Sequence, residues 1–337
     1  MKKAIILILI LIILFFSFTV LEAKKLATLE VLAKPEMMVI GADRLYFTEG
    51  ASIYIYSLKD FHLIKKFGKK GEGPKEFNVS QFSPPLLVFP FENKLLINSN
   101  AKVSFFTEDG EFIEEFRVPP LQIFLPFGNG YIGTGNAADE KDQMVLSLNL
   151  YNAKFEKIKE LYKSDMVVGV SVNFNFPLNA FDFPVYKDKI YIVAGKEGFV
   201  IDVFDNKGEK LYRMKKDYKQ LKVPEEYKER TMKWYKNNFK QFWNFFKDRI
   251  SFKTYYPAVQ RMVVTDDRIY ILTYKKQKEN TECIIFDLKG KEQKRVYLPL
   301  PQVYGTEIPI FGILDNCFYY LMENEEEETW ELHVTKF

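Results

Sequence analysis

A short phrase recurs six times along this chain: an Asp or Asn, a spacer, an apolar residue, then Tyr or another large apolar pair. It reads Asp43-Arg44-Leu45-Tyr46-Phe47, then Asn93-Lys94-Leu95-Leu96-Ile97, then more loosely Asn129-Gly130-Tyr131-Ile132. It returns as Asp188-Lys189-Ile190-Tyr191-Ile192, Asp267-Arg268-Ile269-Tyr270-Ile271 and Asn316-Cys317-Phe318-Tyr319-Tyr320. A period of tens of residues constrains architecture more than any local propensity, because each unit must bury its apolar face against the next.

A second marker fixes the period. Each phrase is followed by another strand pattern, ending in Tyr56, Phe106, Leu150, Phe204 and Phe286, at spacings of 50, 44, 54 and 82 residues. Gly110, Gly208 and Gly290 each lie four residues past such an end. Gly accepts the positive φ of a tight hairpin turn, so each should join two antiparallel strands. Pro35, Pro85, Pro120, Pro257 and Pro309 precede the phrases by about seven to ten residues, with Pro184 closer. Pro lacks a donor for the ladder and belongs at a strand entrance. Each unit therefore reads Pro, strand, Asp/Asn turn, strand, strand, Gly turn, strand. The expected fold is all-β, a six-bladed β-propeller of four-stranded antiparallel blades.

The two ends complement each other. The last unit stops at Phe337 one strand short, and residues 26–33 supply a surplus strand before Pro35. Pairing residues 26–33 with residues 330–334 would close the ring and remove an open edge.

The segment Phe67-Gly68-Lys69-Lys70-Gly71-Glu72-Gly73-Pro74-Lys75-Glu76-Phe77 resembles the blade-linking segment of NHL-type propellers. With the Pro…Asp-x-Ile-Tyr-Ile pattern, the chain from about Lys24 onward resembles exported bacterial six-bladed propellers of the NHL/TolB-like superfamily. The resemblance implies a fold and little about activity. Nor is the Gly-rich segment a phosphate loop: it lacks a terminal Gly-Lys-Ser/Thr, and Pro74 stops a helix from continuing through it.

Residues 1–23 read as a targeting segment: Lys2 and Lys3, then apolar residues 4–20, then Ala23 as a small residue before Lys24. The stretch is also about the minimum length of a membrane span, so an uncleaved anchor is the alternative. Either way residues 24–337 are expected outside the cytoplasm, as one domain and a monomer, with membrane contact only through an uncleaved N-terminus. Net charge is +3 with both signs interspersed, and no basic stripe points to nucleic acid. Cys283 and Cys317 read as thiols behaving as small hydrophobes, with a disulfide, which export would permit, as the alternative.

Two histidines in 337 residues exclude the three-His zinc chemistry that some propeller lyases use. Oxygen donors suit calcium, so the scarcity of histidine leaves it open. The candidate cluster is residues 172–182, where alternation puts Asn173 and Asn175 on one face and Phe174 and Phe176 on the other. Asn179 and Asp182 follow in a loop leading to the inner strand of blade 4. A single carboxylate is too few for a confident calcium ligand set, so no metal ligand and no cofactor is assigned.

The jump to 82 residues marks an insertion, residues 217–252, between blades 4 and 5. Pro224-Glu225-Glu226 opens a helical pattern in which Tyr227, Thr231, Trp234, Tyr235, Phe239, Phe242, Trp243 and Phe246 share a face. Such a stripe packs on the propeller, covers a ligand face or lies on a membrane surface. Candidate ligand-binding residues are Asn175, Asn179, Asp182, Trp234, Tyr235 and Trp243. The expected function is a non-enzymatic binding scaffold for a protein, peptide or glycan. A calcium-assisted hydrolase or lactonase is the alternative.

Overall fold

The computed structural model describes residues 23–80, 83–167, 173–179, 181–193 and 195–337. Of the expected targeting segment, residues 1–23, all but Ala23 lie outside the described residues. Six antiparallel four-stranded sheets form the molecule. Blade 1 holds β2 (Met37–Ile40), β3 (Arg44–Glu49), β4 (Ser52–Ser57) and β5 (Leu63–Phe67). Blade 2 holds β6 (Leu87–Phe91), β7 (Lys94–Ser99), β8 (Lys102–Thr107) and β9 (Phe112–Arg117). Blade 3 holds β10 (Phe124–Phe127), β11 (Gly130–Ala138), β12 (Met144–Tyr151) and β13 (Lys157–Val167). A short strand, β14 (Phe174–Phe176), precedes blade 4, which holds β15 (Val185–Tyr186), β16 (Lys189–Val193), β17 (Val200–Phe204) and β18 (Lys210–Lys215). The insertion follows and ends in β19 (Ile250–Phe252). Blade 5 holds β20 (Arg261–Thr265), β21 (Arg268–Gln277), β22 (Asn280–Asp287) and β23 (Glu292–Leu298). Blade 6 holds β24 (Phe311–Leu314), β25 (Cys317–Asn324), β26 (Thr329–Lys336) and, as its outer strand, β1 (Ala23–Leu29).

The closure expected from the ends is present, with shifted bounds. β1 pairs antiparallel with β26 from Ala23 opposite Thr335 to Leu29 opposite Trp330. The strand runs earlier than residues 26–33 because the chain must turn at residues 30–34 to reach blade 1, and Leu32 is buried in that turn.

Middle strands such as β3, β4, β7 and β17 read as near-continuous buried runs because neighbouring blades cover both faces. All five residues of β17 are buried, as are the four central residues of β3 and of β4. Outer strands such as β18 alternate between exposed and half-buried residues, with one face on the next blade and one in solvent. Six buried apolar clusters are each shared between two neighbouring blades, including blades 6 and 1, where Leu29 and Leu332 meet Phe47 and Tyr54. Each buried Leu, Ile or Phe contributes about 1.5–3 kcal/mol, so the ring is held by its blade-to-blade seams.

The repeated turns have two faces. The Asp/Asn turns between first and second strands carry successive positive φ angles at Glu92 and Asn93, Lys187 and Asp188, Asp266 and Asp267, and Asp315 and Asn316. That is the conformation of the tight hairpin turns favoured by the right-handed twist of strands. Gly110, Gly208 and Gly290, in the turns between third and fourth strands, also have positive φ. All of these turns lie on one face of the ring, the turn face. The links between blades, and the turns between second and third strands, lie on the opposite, link face. First strands of neighbouring blades contact one another around the axis, as β20 does β15 and β24.

The Gly-rich segment after β5 is such a link. Phe77 is wholly buried between blades 1 and 2, and Gly68, at φ +92°, leaves no room for a Cβ beside the Ala51 carbonyl and the Phe77 ring. Lys102 Nζ holds the Gly73 carbonyl at 2.9 Å. Cys283 is a buried free thiol and Cys317 a half-buried one.

Candidate ligand-binding cavity on the link face

The insertion begins with α1 (Glu225–Asn238), capped by Pro224, with Glu225 and Glu226 in its first turn. Acids there face the positive end of the helix dipole. A single 3-10 turn leads to the short α2 (Trp243–Phe246), and the chain returns through β19. The helical reading missed this strand: β19 pairs in parallel with β14, joining the insertion to the link between blades 3 and 4. Three residues were too short a run to register against the aromatic spacing around them. The stripe buries itself except at Phe242, which is exposed. Tyr227, Thr231, Tyr235 and Phe246 are buried, and Phe176, Val223 and Tyr256 complete a seventh apolar cluster.

Beside this cluster, at the link-face ends of the first strands of blades 4, 5 and 6, lies a cavity of about 280 Å³. Leu178, Asn179, Phe181 and Asp182 come from the link before β15, Gln260 and Arg261 from the entrance of β20, and Tyr274 from the far end of β21. Tyr227 of α1 and, from the link before β24, Val303 and residues 305–309 complete the wall.

Asp182 is buried, with one oxygen on Arg261 Nη1 and the other on the Met262 N–H, both at 2.6 Å. Burial pushes its carboxyl above the ordinary value, an effect that Arg261 and the Met262 N–H only partly offset. Tyr274 stacks on Tyr256 with ring centres 4.4 Å apart, and Tyr227 meets Tyr256 edge-on. Burial pushes the phenols of Tyr227 and Tyr274 well above the ordinary tyrosine value, and that of Tyr256 to about 12, so all three are neutral donors.

The remaining wall is fixed by the insertion. Gly305 has φ +59°, and a Cβ there would meet the Trp234 ring at 2.4 Å. The Trp234 indole N–H donates to Glu307 Oε1, and the Tyr304 N–H donates to Oε2 at 3.1 Å. Arg230 lies over the Tyr304 ring, 5.6 Å from its centre. A one-residue close approach and a doubly engaged carboxylate thus hold residues 304–307 against α1.

The structure brings together two of the six candidate residues in the cavity wall, Asn179 and Asp182. Asn179 Oδ1 accepts from Lys253 Nζ at 2.7 Å. Trp234 stands behind the wall. Tyr235 packs on Phe176 and Phe239, and Trp243 is half-buried in the same cluster. Asn175 is exposed on the β14–β19 pair, 3.4 Å from the Ser251 hydroxyl. Gln260, Arg261, Tyr274 and residues 303–309 escaped the sequence reading. Gln260 and Arg261 follow Pro257 at the entrance of an inner strand, and polar residues at that place were the available signal.

Asp182 is committed to a guanidinium and an amide, and Asn179 faces an ammonium. Among the described residues no three His, Cys, Asp or Glu side chains gather to hold a metal. His62 is exposed beside Asp60, and His333 pairs with Glu331 on β26.

No protein-family model matches the chain, and no curated protein matches it. Among solved structures it is similar to a member of the duf4221 family from Bacteroides vulgatus, at 13% identity and TM-score 0.49, over 94% of this chain and 97% of that one. It is similar to the β-propeller domain of the trilobed protease from Pyrococcus furiosus, at 15% and 0.43, over 89% and 81%. It is also similar to a luciferin-regenerating enzyme, at 10% and 0.45, over 94% and 95%. These are likenesses of fold alone, and no activity passes across them.

Proposed function

We propose that the chain is an exported, non-enzymatic binding module of the NHL/TolB-like kind, monomeric, with its ligand site in the link-face cavity. The supporting observation is convergence. The one insertion that interrupts the repeat lends Tyr227 to the cavity wall and fixes the 303–309 link that forms another part of it. Pockets lined by aromatic side chains with a few placed polar groups are the usual form of a ligand site. Both acidic residues of the wall are held by protein donors, so neither stands ready as a general base or nucleophile. The partner is a protein, peptide or glycan that inserts a small group, and no cofactor is required.

The test uses the chain from Lys24 in thermal-shift and ligand-observed NMR screens of short peptides and oligosaccharides, with and without calcium. Binders should compete with one another and lose binding in Tyr274→Leu, and calcium alone should leave the melting temperature unchanged. Calcium-dependent turnover of ester or lactone substrates, abolished in Asp182→Asn, would replace this reading with the hydrolase.

A further inference from the structure

The chemistry of the cavity narrows what can enter it. Arg261 lines the wall and spends one N–H on Asp182; among the described residues its other guanidinium N–H groups make no hydrogen bond. Its side chain is 39% exposed. Asp182 is itself locked by the Met262 N–H, and this fixes the direction of the guanidinium. Glu307, the other carboxylate of the wall, has both oxygens occupied by Trp234 and Tyr304. Lys253 adds positive charge behind Asn179. Around this polar corner the wall is apolar: Leu178, Phe181, Tyr274, Val303 and Ile308.

A planar guanidinium with a free edge matches a carboxylate through two parallel N–H···O bonds. We propose, resting on the reading of the cavity as the ligand site, that it captures a carboxylate carried on a small apolar body, with Arg261 as the anion clamp and Asp182 as its positioning residue. About 280 Å³ accommodates roughly one amino-acid residue, small beside drug-sized pockets. A peptide C-terminus and a free organic acid share this chemistry.

The probes are N-acetylphenylalanine, its amide and 3-phenylpropionate, titrated by NMR into the chain from Lys24. The free acid should bind at least tenfold more tightly than the amide. Arg261→Lys keeps the charge but loses the fork, and should erase most of that ratio at an unchanged melting temperature. Asp182→Asn should lower the acid-to-amide ratio while leaving the amide's weak affinity as it was. A clear preference for N-acetylphenylalanine over 3-phenylpropionate assigns a peptide end; equal binding assigns a free acid. Equal affinity for acid and amide, acid binding untouched in Arg261→Lys, or no acid binding at millimolar concentration would overturn the proposal. A neutral peptide or sugar that binds wild type and fails on Tyr274→Leu would leave the ligand site standing and remove only the carboxylate. Should Arg261→Lys fail to fold, the wild-type ratio still decides.

Discussion

At the residue scale, the repeat works through what each position forbids. Gly290, at φ +85°, would place a Cβ 2.6 Å from Met214 Sδ on the outer strand of the preceding blade; Gly208 faces Leu161 and Gly110 faces Phe67 in the same way. A Lys–Glu pair accompanies each contact: Lys65 with Glu111, Lys159 with Glu209, Lys216 with Glu292. Gly198 also has positive φ, +89°, but nothing lies within 4 Å of its Cβ position. Gly198→Ala should therefore cost only the backbone term, about 1–2 kcal/mol. Gly290→Ala should cost more, because the seam between blades 4 and 5 must shift as well; chemical denaturation of both variants measures the difference. A pH-dependent case lies in blade 4. Burial raises the Asp202 carboxyl, but contacts from Arg213 at 2.7 Å and Lys210 outweigh it, and the net shift is downward from 3.8. A carboxyl lowered on folding adds stability above its unfolded pKa, and that stability is lost as pH falls through its folded value. Asp202→Asn should thus lower the melting temperature at pH 7 and narrow its gap to wild type below about pH 3.8, when both are scanned by calorimetry. An equal gap at both pH values would refute the assignment.

At the element scale, β1 is the piece whose loss the ring should feel most. It is the fourth strand of blade 6, and Leu29 and Leu32 are each 1% exposed in the cluster shared with blade 1. Leu29→Ala should cost about 2–5 kcal/mol, the usual range for a buried Leu. Deleting residues 24–34 should lower the melting temperature further, because ladder and burial go together. An unchanged melting temperature after the deletion would mean that the ring closes without β1. Blade order, turns and this closure were legible because hairpin physics repeats: Asp205 and Asp287 each accept two backbone N–H groups across their turns, and the sequence displays the same Asp each time. The cavity was less legible. Asn179 and Asp182 stood out as polar residues in a loop, and Arg261 was marked only by its polar place at the entrance of β20, whereas Tyr274 sits inside a strand whose apolar pattern gives no hint of a site. Glu307 and Trp234 meet across 73 residues, a pairing that no local period encodes.

At the scale of the whole molecule, the two faces of the ring place the start of β1 opposite the cavity. Ala23 opens β1 opposite Thr335, and Thr335 also pairs with Phe318, just past the Asp315–Asn316 turn. The chain therefore enters the ring on the turn face. The cavity is on the link face, one strand length away, about 20 Å for six or seven residues. Residue 23 is already in the strand. We expect export with cleavage, giving a native N-terminus at Lys24 that keeps the ladder from Lys24 to Leu29 intact; sequencing of the native protein reads this directly. If the segment is instead retained in a bilayer, the same geometry predicts that the turn face lies against the membrane and the cavity opens away from it. Probes at Asp315→Cys and Thr306→Cys, both exposed and on opposite faces, would separate the two cases in a background with Cys317 replaced by Ser. In vesicles holding the full chain, a headgroup quencher should dim the probe at 315 and spare the one at 306. Equal quenching at both sites, or the reverse order, would contradict the orientation derived from the β1–β26 register.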